Sequence, residues 1–191
     1  MAGKQAKILS DKHISALRTY ALKTRYPLRN LVMVLLSTKA GLRAGEIAKL
    51  TWEMVLTPSG DVSTTIEIRD QIAKMRSGRS VPIHPDLQSA LLKLRRKSIS
   101  TGPIIRSERG NGMKDLSVII WFATAYRQLG MDGCSSHSGR RTFITRAARL
   151  AHRAGGSLRD VQLLAGHQSI QTTQRYIDGD SDAQRRLIAL I

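Results

Sequence analysis

Cysteine is almost absent from the 191-residue sequence, which contains only Cys134. A single cysteine excludes an internal disulfide framework and any zinc or iron–sulfur site built from cysteines, and it suits a reducing compartment. Aromatic residues make up 4% of the chain, fewer than a surface that stacks single-stranded bases would need. Apolar runs such as residues 31–36 and 118–123 are far too short to cross a bilayer. The N-terminus lacks the apolar segment of a signal peptide, so we expect a cytoplasmic protein with no membrane partner.

Acidic residues are also scarce, since 14 Asp and Glu stand against 31 Lys and Arg, which gives a formal net charge of +17 at pH 7. So basic a chain, with its charge spread along the sequence, favours the backbone of duplex DNA as its partner. A ribosomal-type basic protein or a membrane-surface binder is the alternative. No carboxylate cluster is evident that would hold Mg²⁺ in a nuclease, and neither HExxH nor a nucleotide-binding glycine loop is present. A metal-dependent nuclease is therefore weakly supported, although three distant acids could still converge in the fold.

The hydrophobic periodicity predicts a mainly helical protein with one small antiparallel β-sheet, which is an α+β fold class. Turn and capping residues set the expected boundaries of its elements. Four predicted helices span residues 11–24, 28–38, 44–50 and 115–129. A further helix is opened by Pro85, and another is capped by Ser135 or Ser136 and runs to about His152. Two more follow, one that ends at Gly166 and one that runs from Ser169 to Tyr176. The predicted strands lie at residues 62–68 and 80–83, and the tail 181–191 is expected to add a short helix with an apolar end.

Arginines at the starts of helices are the most informative feature of the sequence. Cations are disfavoured there because the helix dipole is already positive at that end. Arg43 nonetheless directly precedes a predicted helix, and His137, Arg140 and Arg141 fall in the opening turns of another. A solvated basic helix face would explain either case alone. The two together favour an anion site that would suit a phosphate group.

Two further residues follow these arginines at a suggestive spacing. His167 comes directly after the helix-ending Gly166, and Tyr176 lies nine residues later. Each has an ordinary interpretation by itself, as a packing histidine and as a half-buried surface tyrosine. A tyrosine hydroxyl, with a pKa of about 10, is a poor nucleophile unless nearby cations stabilise the phenolate.

Taken together, these residues resemble the catalytic domain of the tyrosine recombinases, or phage integrases. Four motifs occur in the order typical of that family, and a fifth element, a lysine ahead of a Val-Pro strand, resembles its β-hairpin. The motifs are residues 40–47 around Arg43, residues 137–140 from His137 to Arg140, residues 164–167 ending at His167, residues 172–176 ending at Tyr176, and Lys74 ahead of residues 79–83.

The resemblance covers roughly residues 8–180 and shows two departures. Gly139 stands where the family often has leucine, which we expect to loosen the first helical turn while leaving both functional side chains in place. Most family members also carry an N-terminal core-binding domain, and this sequence shows no evident counterpart. In length it is similar to the small fimbrial-switch recombinases, which lack that domain as well, and it is also compatible with an excised catalytic domain.

The resemblance implies a tyrosine recombinase catalytic-domain fold over residues 1–180. It leaves residues 181–191 as a C-terminal tail that either packs on its own domain or docks on a neighbouring protomer. The implied activity is cleavage and rejoining of DNA strands through a 3′-phosphotyrosine formed by Tyr176. One ester replaces another in this reaction, so the resemblance implies no ATP and no other cofactor. Cationic side chains fill the role that metal ions play elsewhere, so no metal ion is expected.

The resemblance also assigns a role to each site residue. Arg43 and Arg140 would hold the non-bridging oxygens of the reacting phosphate, and His137 and His167 would donate hydrogen bonds to it. His137 would also accept the proton of the tyrosine. A general acid, a supporting carboxylate and a set of DNA contacts complete the implied site, and these are Lys74 as the acid, Glu46 as the support, and Arg76, Arg79, Arg141, Arg146 and Arg175 as the DNA contacts.

Two alternatives stay open at this stage. A type IB topoisomerase would use nearly the same residues as a monomer and reseal the same strand, whereas a non-catalytic duplex DNA-binding protein would need neither Tyr176 nor Lys74. For the recombinase, the expected partner is double-stranded DNA, with four protomers assembled on paired sites, a monomer in free solution, and accessory DNA-bending proteins. The expected location is the cytoplasm, at the nucleoid.

Overall fold

The computed structural model describes residues 6–73, 77–97, 99, 101–176, 188–189 and 191, and within them helices surround one two-stranded antiparallel sheet. The predicted fold class is therefore confirmed. Short 3₁₀ turns follow two of the helices, at Trp52–Met54 and His152–Ala154. In chain order the elements are α1 (Asp11–Leu22), α2 (Pro27–Lys39), α3 (Ala44–Lys49), β1 (Thr65–Ile68), β2 (Arg79–Pro82), α4 (Pro85–Arg95), α5 (Asp115–Gln128), α6 (Ser138–Leu150), α7 (Leu158–Ala165) and α8 (Ile170–Gln174).

Helix α2 lies at the centre of the main hydrophobic core. It starts at Pro27, in the first turn where a missing N–H costs nothing, and its residues 32–38 are buried. A helix that is apolar nearly all round must be covered on most sides, and α2 packs against α1, α4 and α6. Trp52 and Phe122 complete this core from neighbouring segments.

A second, smaller hydrophobic cluster joins α6 to α7. Ile144, Val161 and Ala165 are buried in it, and the half-buried ring of Tyr176 packs on its edge. The candidate site residues divide between the two clusters, because Arg43 lies between Leu42 and Ala44 of the main core while Tyr176 packs on the second cluster. The contact between α6 and α2 therefore determines how the two halves of the site meet.

Two glycines allow α6 to approach the main core closely. A Cβ atom at Gly139 would overlap the hydroxyl of Ser37 and lie 3.2 Å from the methyl group of Thr38, both on α2. Gly41 has a φ of +65°, which favours glycine, and a Cβ there would overlap the ring of Phe143 on α6. The leucine that the family often carries at position 139 would not fit this packing.

Several helices and strands begin or end at residues other than those predicted. The predicted cap of α6 at Ser135 or Ser136 is wrong, because His137 is the N-cap residue and the hydroxyl of Ser138 accepts a hydrogen bond from the amide of Ser135 in the preceding turn. Helix α8 ends at Gln174 and leaves Tyr176 in a turn, the first strand starts at Thr65, and α1 ends two residues early.

Some predictions fall on parts of the chain that the structure does not describe. Lys74 and Arg76 lie outside the described residues, and so do residues 177–187 and 190, which include most of the tail. Within the described segments, no helix has both the length and the apolar character that a membrane span requires.

Candidate active site

Arg43 is held in place by a carboxylate of its own helix. It is the N-cap residue of α3, its amide donates to Oε2 of Glu46 at 2.9 Å, and its Nη1 donates to Oε1 at 2.8 Å. A cation is unfavourable at a helix N-terminus, and the carboxylate of the first turn offsets this cost. The Arg43 side chain is 21% exposed, so it can still meet a ligand from the solvent side.

The Glu46 carboxylate is almost fully buried and receives a second arginine. Nη1 and Nη2 of Arg79 donate to its two oxygens at 3.0 and 2.9 Å, the bidentate geometry that fixes both side chains. Burial has the largest single influence on the pKa of Glu46 and would raise it, but the hydrogen bonds and charges of Arg79 and Arg43 together outweigh burial and lower the pKa to about 2. Glu46 is therefore ionised at neutral pH.

Arg140 connects the two hydrophobic clusters from the first turn of α6. It is 4% exposed, and it donates from Nη1 to the carbonyl of Gly41 at 2.6 Å and from Nη2 to the carbonyl of Ala165 at 2.7 Å. Burial, followed by the nearby charge of Arg43, lowers the pKa of Arg140 to about 10. The guanidinium remains charged at neutral pH and is fixed by backbone atoms from both halves of the site.

His167 lies in the turn after α7 and contacts Arg140 through its ring. Its Nε2 is 3.2 Å from Nη2 of Arg140, and its Nδ1 is 2.9 Å from Oγ1 of Thr173. Because a guanidinium only donates, Nε2 must accept, which leaves the proton on Nδ1 to be donated to Thr173. Burial, followed by the charges of Arg140, Arg43 and Arg79, lowers the pKa of His167 to about 4. The ring is therefore neutral at pH 7.

Tyr176 stacks on this histidine. The ring centroids of Tyr176 and His167 are 5.5 Å apart and their planes differ by 24°, while the backbone carbonyl of Tyr176 accepts a hydrogen bond from Thr145 at 3.4 Å. The alternative nucleophile Tyr126 is 1% exposed, its hydroxyl has no partner among the described residues, and burial raises its pKa. Tyr176 is therefore the tyrosine that meets the site's cations.

These residues surround one open pocket of about 470 Å³. No acidic residue is among its lining residues in the part of the chain that the structure describes. Glu46 offsets part of the charge of Arg43 from outside the lining, but the cations outnumber it, and an anion would be attracted to the pocket. The same part contains no group of three or more His, Cys, Asp or Glu that could hold a metal ion. The pocket is lined by Ala6, Arg43, Ser135, His137, Arg140, Arg141, His167, Thr172, Arg175 and Tyr176.

The structure thus brings together most of the site residues that the sequence predicts. Arg43, His137, Arg140, His167 and Tyr176 share the pocket, and Glu46 contacts Arg43 from beneath. Lys74 lies outside the described residues, at a position between β1 and β2 in the sequence. Between the two strands, the amide of Gly78 donates to Oδ1 of Asp70 at 2.7 Å.

The predicted DNA contacts separate into two groups. Arg141 and Arg175 line the pocket. Arg79 is buried on Glu46, and Arg146 forms an ion pair with Asp11 at 2.7 Å. Arg146 also donates to the carbonyl of Leu9 at 3.3 Å. The guanidinium groups of Arg79 and Arg146 are therefore engaged within the protein, and Arg76 lies outside the described residues.

Sequence reasoning missed the partners that hold the site residues. Thr173 fixes the ring of His167, and Gln162 donates to the backbone carbonyl of that histidine at 2.9 Å. The buried pair between Arg79 and Glu46 was also missed, although both residues were singled out separately. No signal in the spacing could reveal these pairs, apart from the placement of Thr173 within the motif that ends at Tyr176.

The chain belongs to the phage integrase family, whose pattern it matches over residues 7–182. It is 31% identical over 159 residues to the tyrosine recombinase XerC of Methylobacterium nodulans, a match that covers 80% of this chain and 46% of that protein. With XerC of Brucella suis the identity is 30% over 158 residues, covering 80% of this chain and 47% of the relative. The chain therefore spans about half the length of these two relatives.

Solved structures of the family share the fold. The crystal structure of XerA recombinase covers all of this chain with a TM-score of 0.75 at 22% identity, and 65% of XerA is matched. The structure of the XerH site-specific recombinase bound to a palindromic difH substrate covers 96% of this chain with a TM-score of 0.74 at 17% identity, and 52% of XerH is matched. The predicted tyrosine recombinase catalytic-domain fold is confirmed.

Proposed function

We propose that the chain is the catalytic domain of a site-specific DNA recombinase that cleaves and rejoins strands through a 3′-phosphotyrosine. The observation that carries this proposal is the convergence of Arg43, Arg140 and Tyr176 on one pocket whose described lining contains no acidic residue. A phosphodiester is the anion that such a pocket fits when the adjoining group is a nucleophilic hydroxyl. Membership of the phage integrase family and the DNA substrate of XerH support the same assignment.

In the proposed reaction, the hydroxyl oxygen of Tyr176 attacks the phosphorus of a DNA phosphodiester. A bond from the tyrosine oxygen to phosphorus forms while the bond from phosphorus to the 5′-oxygen breaks, so the number of phosphate esters is unchanged. His137 takes the tyrosine proton, and Lys74 gives a proton to the 5′-oxygen, which leaves as a hydroxyl. A 5′-hydroxyl from a partner strand then attacks the phosphotyrosine and restores the free tyrosine.

The two arginines stabilise the charge that accumulates on the phosphate in the transition state. Both are held by protein atoms before any ligand arrives, Arg43 by Glu46 and Arg140 by two backbone carbonyls. Donors that are already oriented need no rearrangement during the reaction, which is the main source of electrostatic catalysis. In this proposal, Glu46 supports the arginines without contacting DNA.

The role of His167 depends on its tautomer. With its proton on Nδ1, the ring orients Arg140 and cannot donate from Nε2 to a phosphate. The hydrogen bond to phosphate that the family resemblance implies therefore requires either the other tautomer or a protonated ring. A phosphate that takes over the contact with Arg140 would release Nε2 for that role.

The proposed partner is duplex DNA, contacted around the pocket by Arg141 and Arg175, and the proposed active assembly is four protomers on paired sites. The free chain is proposed to be a monomer, and accessory DNA-bending proteins would assist the assembly. Recombination on a chromosome would take place in the cytoplasm, at the nucleoid. The catalytic domain is proposed to extend over residues 1–180, followed by the tail 181–191.

The proposal is tested by incubating the protein with a pool of nicked duplexes that cover the DNA flanking its gene. A nick beside the cleaved phosphate lets the freed 5′-end diffuse away, so a covalent intermediate accumulates. We expect a protein–DNA band that survives denaturation and forms equally well in the presence of a chelator. Exchange of strands between two sites would separate a recombinase from a topoisomerase. Absence of any covalent band across the pool would contradict the proposal.

A further inference from the structure

Arg79 differs from Arg43 and Arg140, which line the pocket, because all three of its guanidinium nitrogens donate to protein atoms. Its side chain is 5% exposed, and it is not among the described residues that line the pocket. Two of its nitrogens donate to the oxygens of Glu46, and its Nε donates to the carbonyl of Leu164 at 2.9 Å. An arginine bound in this way has little left to offer a DNA phosphate.

The bonds of Arg79 join three segments that carry the site. Arg79 itself opens β2, Glu46 belongs to the first turn of α3, and Leu164 lies near the end of α7. The carbonyl of the next residue along, Ala165, is the one that holds Arg140. Arg79 therefore connects the β-hairpin to the supports of both catalytic arginines.

The turn after α7 is shaped to admit this side chain. Gly166 has a φ of +61°, and a Cβ atom there would lie 2.9 Å from Nη1 and 3.0 Å from Cδ of Arg79. His167 follows directly. The approach of Arg79 to this turn thus depends on a residue without a side chain, at a position where the backbone also favours glycine.

We propose that Arg79 is a positioning residue for strand cleavage, which fixes Arg43 through Glu46 and fixes the turn carrying His167 through Leu164. The inference rests on the proposed function, because it assigns Arg79 a place in that reaction. A buried bidentate pair holds both partners in one conformation. When one partner of such a pair is removed, the other is left as a buried charge with too little compensation.

The charges around Glu46 predict how the cleavage rate should depend on pH when Arg79 is replaced. The groups that face its carboxylate are Arg43 from its own helix, Arg79 from β2 and Arg140 from α6. Arg79 contributes the strongest stabilisation of the ionised form. Without Arg79, the pKa of Glu46 should rise, and a protonated Glu46 would hold Arg43 less firmly. Without Arg79, the cleavage rate should therefore fall at acidic pH as Glu46 becomes protonated.

The test measures the rate of covalent adduct formation at saturating nicked DNA from pH 5 to pH 8 for wild type, Arg79→Ala and Arg79→Lys. At pH 7 we expect Arg79→Ala to be slower than wild type by roughly tenfold to a hundredfold, because small displacements of groups that hold reacting atoms cost rates of that order. The ratio of wild-type to variant rate should grow as the pH falls. Lysine should restore only part of the rate, since it lacks the two-oxygen fork.

Arg18→Ala is the matched control. Arg18 also forms an ion pair between two elements, donating to Asp86 at 2.9 Å from α1 to α4, but it is not among the described residues that line the pocket. We expect its adduct rate to follow wild type at every pH. Circular dichroism at each pH confirms that the compared proteins are folded, and if Arg79→Ala does not fold, the pH profile of Arg79→Lys decides.

A substrate with a 5′-bridging sulfur separates Arg79 from the proposed general acid. Sulfur leaves without protonation, so this substrate should rescue Lys74→Ala but not Arg79→Ala. The inference is overturned if Arg79→Ala matches wild type, if its deficit is the same at every pH, or if the sulfur substrate restores its rate. Absence of an adduct from wild type would instead overturn the proposed function, and this inference with it.

Discussion

Arg43 and Arg140 reach the same pocket through different supports. Arg43 is held by a side chain of its own helix, whereas Arg140 is held by backbone carbonyls of two separate segments. Both guanidinium groups therefore have defined positions before a ligand binds. Loss of either one should affect the reacting phosphate much more than it affects the general attraction of this +17 chain for DNA.

Arg43→Ala and Arg140→Ala should each slow formation of the covalent DNA adduct by about 10²-fold or more, the loss expected for a fixed contact to a developing negative charge. The rate is measured at saturating DNA so that affinity does not contribute. Arg153→Ala is the control, because Arg153 is exposed in the short turn after α6 and should affect binding alone. Similar rate losses in all three variants would mean that the pocket is only part of a general basic surface.

His167 should make stability depend on pH. Its pKa is about 4 in the folded protein and about 6.5 in an unfolded chain, so between these values the unfolded state binds more protons. The free energy of unfolding should therefore fall as the pH is lowered from about 6.5 towards 4, and the contribution of His167 should be complete above that range. In urea unfolding, the stability advantage of wild type over His167→Asn should shrink on acidification. An advantage that is constant or grows in acid would show that the ring is not held neutral.

Most elements of the fold could be predicted from the sequence because their signals are local. Helix periodicity, proline in a first turn and glycine at helix ends placed the helices to within a few residues. The cap of α6 was predicted wrongly because Ser135, a serine with good capping propensity, lies in a turn before the helix, where its amide donates to Ser138 and its hydroxyl accepts from the amide of His137.

The candidate site could be predicted in its motifs but not in its supports. Arg43 and Glu46 are three residues apart, and their spacing on one helix suggests that they meet. Arg79 is 33 residues from Glu46, and Arg140 is 99 residues from Gly41. Contacts at such separations depend on how the β-hairpin, α3 and α6 pack, which the spacing of residues along the chain does not specify.

The packing of α6 against α2 predicts the effect of a small change at Gly139. Gly139→Ala should lower the free energy of unfolding by about 1–3 kcal/mol through overpacking against Ser37 and Thr38, even though alanine favours a helix over glycine by up to about 1 kcal/mol. Urea denaturation measures the difference. Gly156→Ala is the control, since a Cβ there would meet only ordinary van der Waals contacts. A Gly139→Ala protein as stable as wild type would contradict the close approach.

In the whole molecule, the pocket lies where two hydrophobic clusters meet. Arg43 lies between Leu42 and Ala44 of the main core, and Tyr176 packs on the smaller cluster of α6 and α7. Arg140 bonds to the carbonyls of Gly41 and Ala165, one on each side.

The tail provides the test of the proposed assembly on DNA. Ile188 and Ile191 are exposed, and together with Leu187 and Leu190 they give the sequence an apolar end. Deleting residues 181–191 should lower cooperative binding to paired DNA sites and the yield of recombination, while leaving the fold and the cleavage of a single site intact. Analytical ultracentrifugation of protein–DNA complexes measures the assembly. Equal assembly by the truncated protein would show that the tail packs only on its own domain.

The central claim is that Tyr176 forms the covalent bond to DNA, and the most direct test identifies the residue that becomes linked. Wild type and Tyr176→Phe are incubated with nicked DNA, denatured and digested, and the DNA-linked peptide is identified by mass spectrometry. Phenylalanine removes only the hydroxyl, so DNA binding should be nearly unchanged while the covalent adduct disappears, and the wild-type adduct should map to Tyr176. Tyr126→Phe should form the adduct as wild type does, because its hydroxyl is buried away from the pocket. A covalent adduct that persists in Tyr176→Phe would contradict the account.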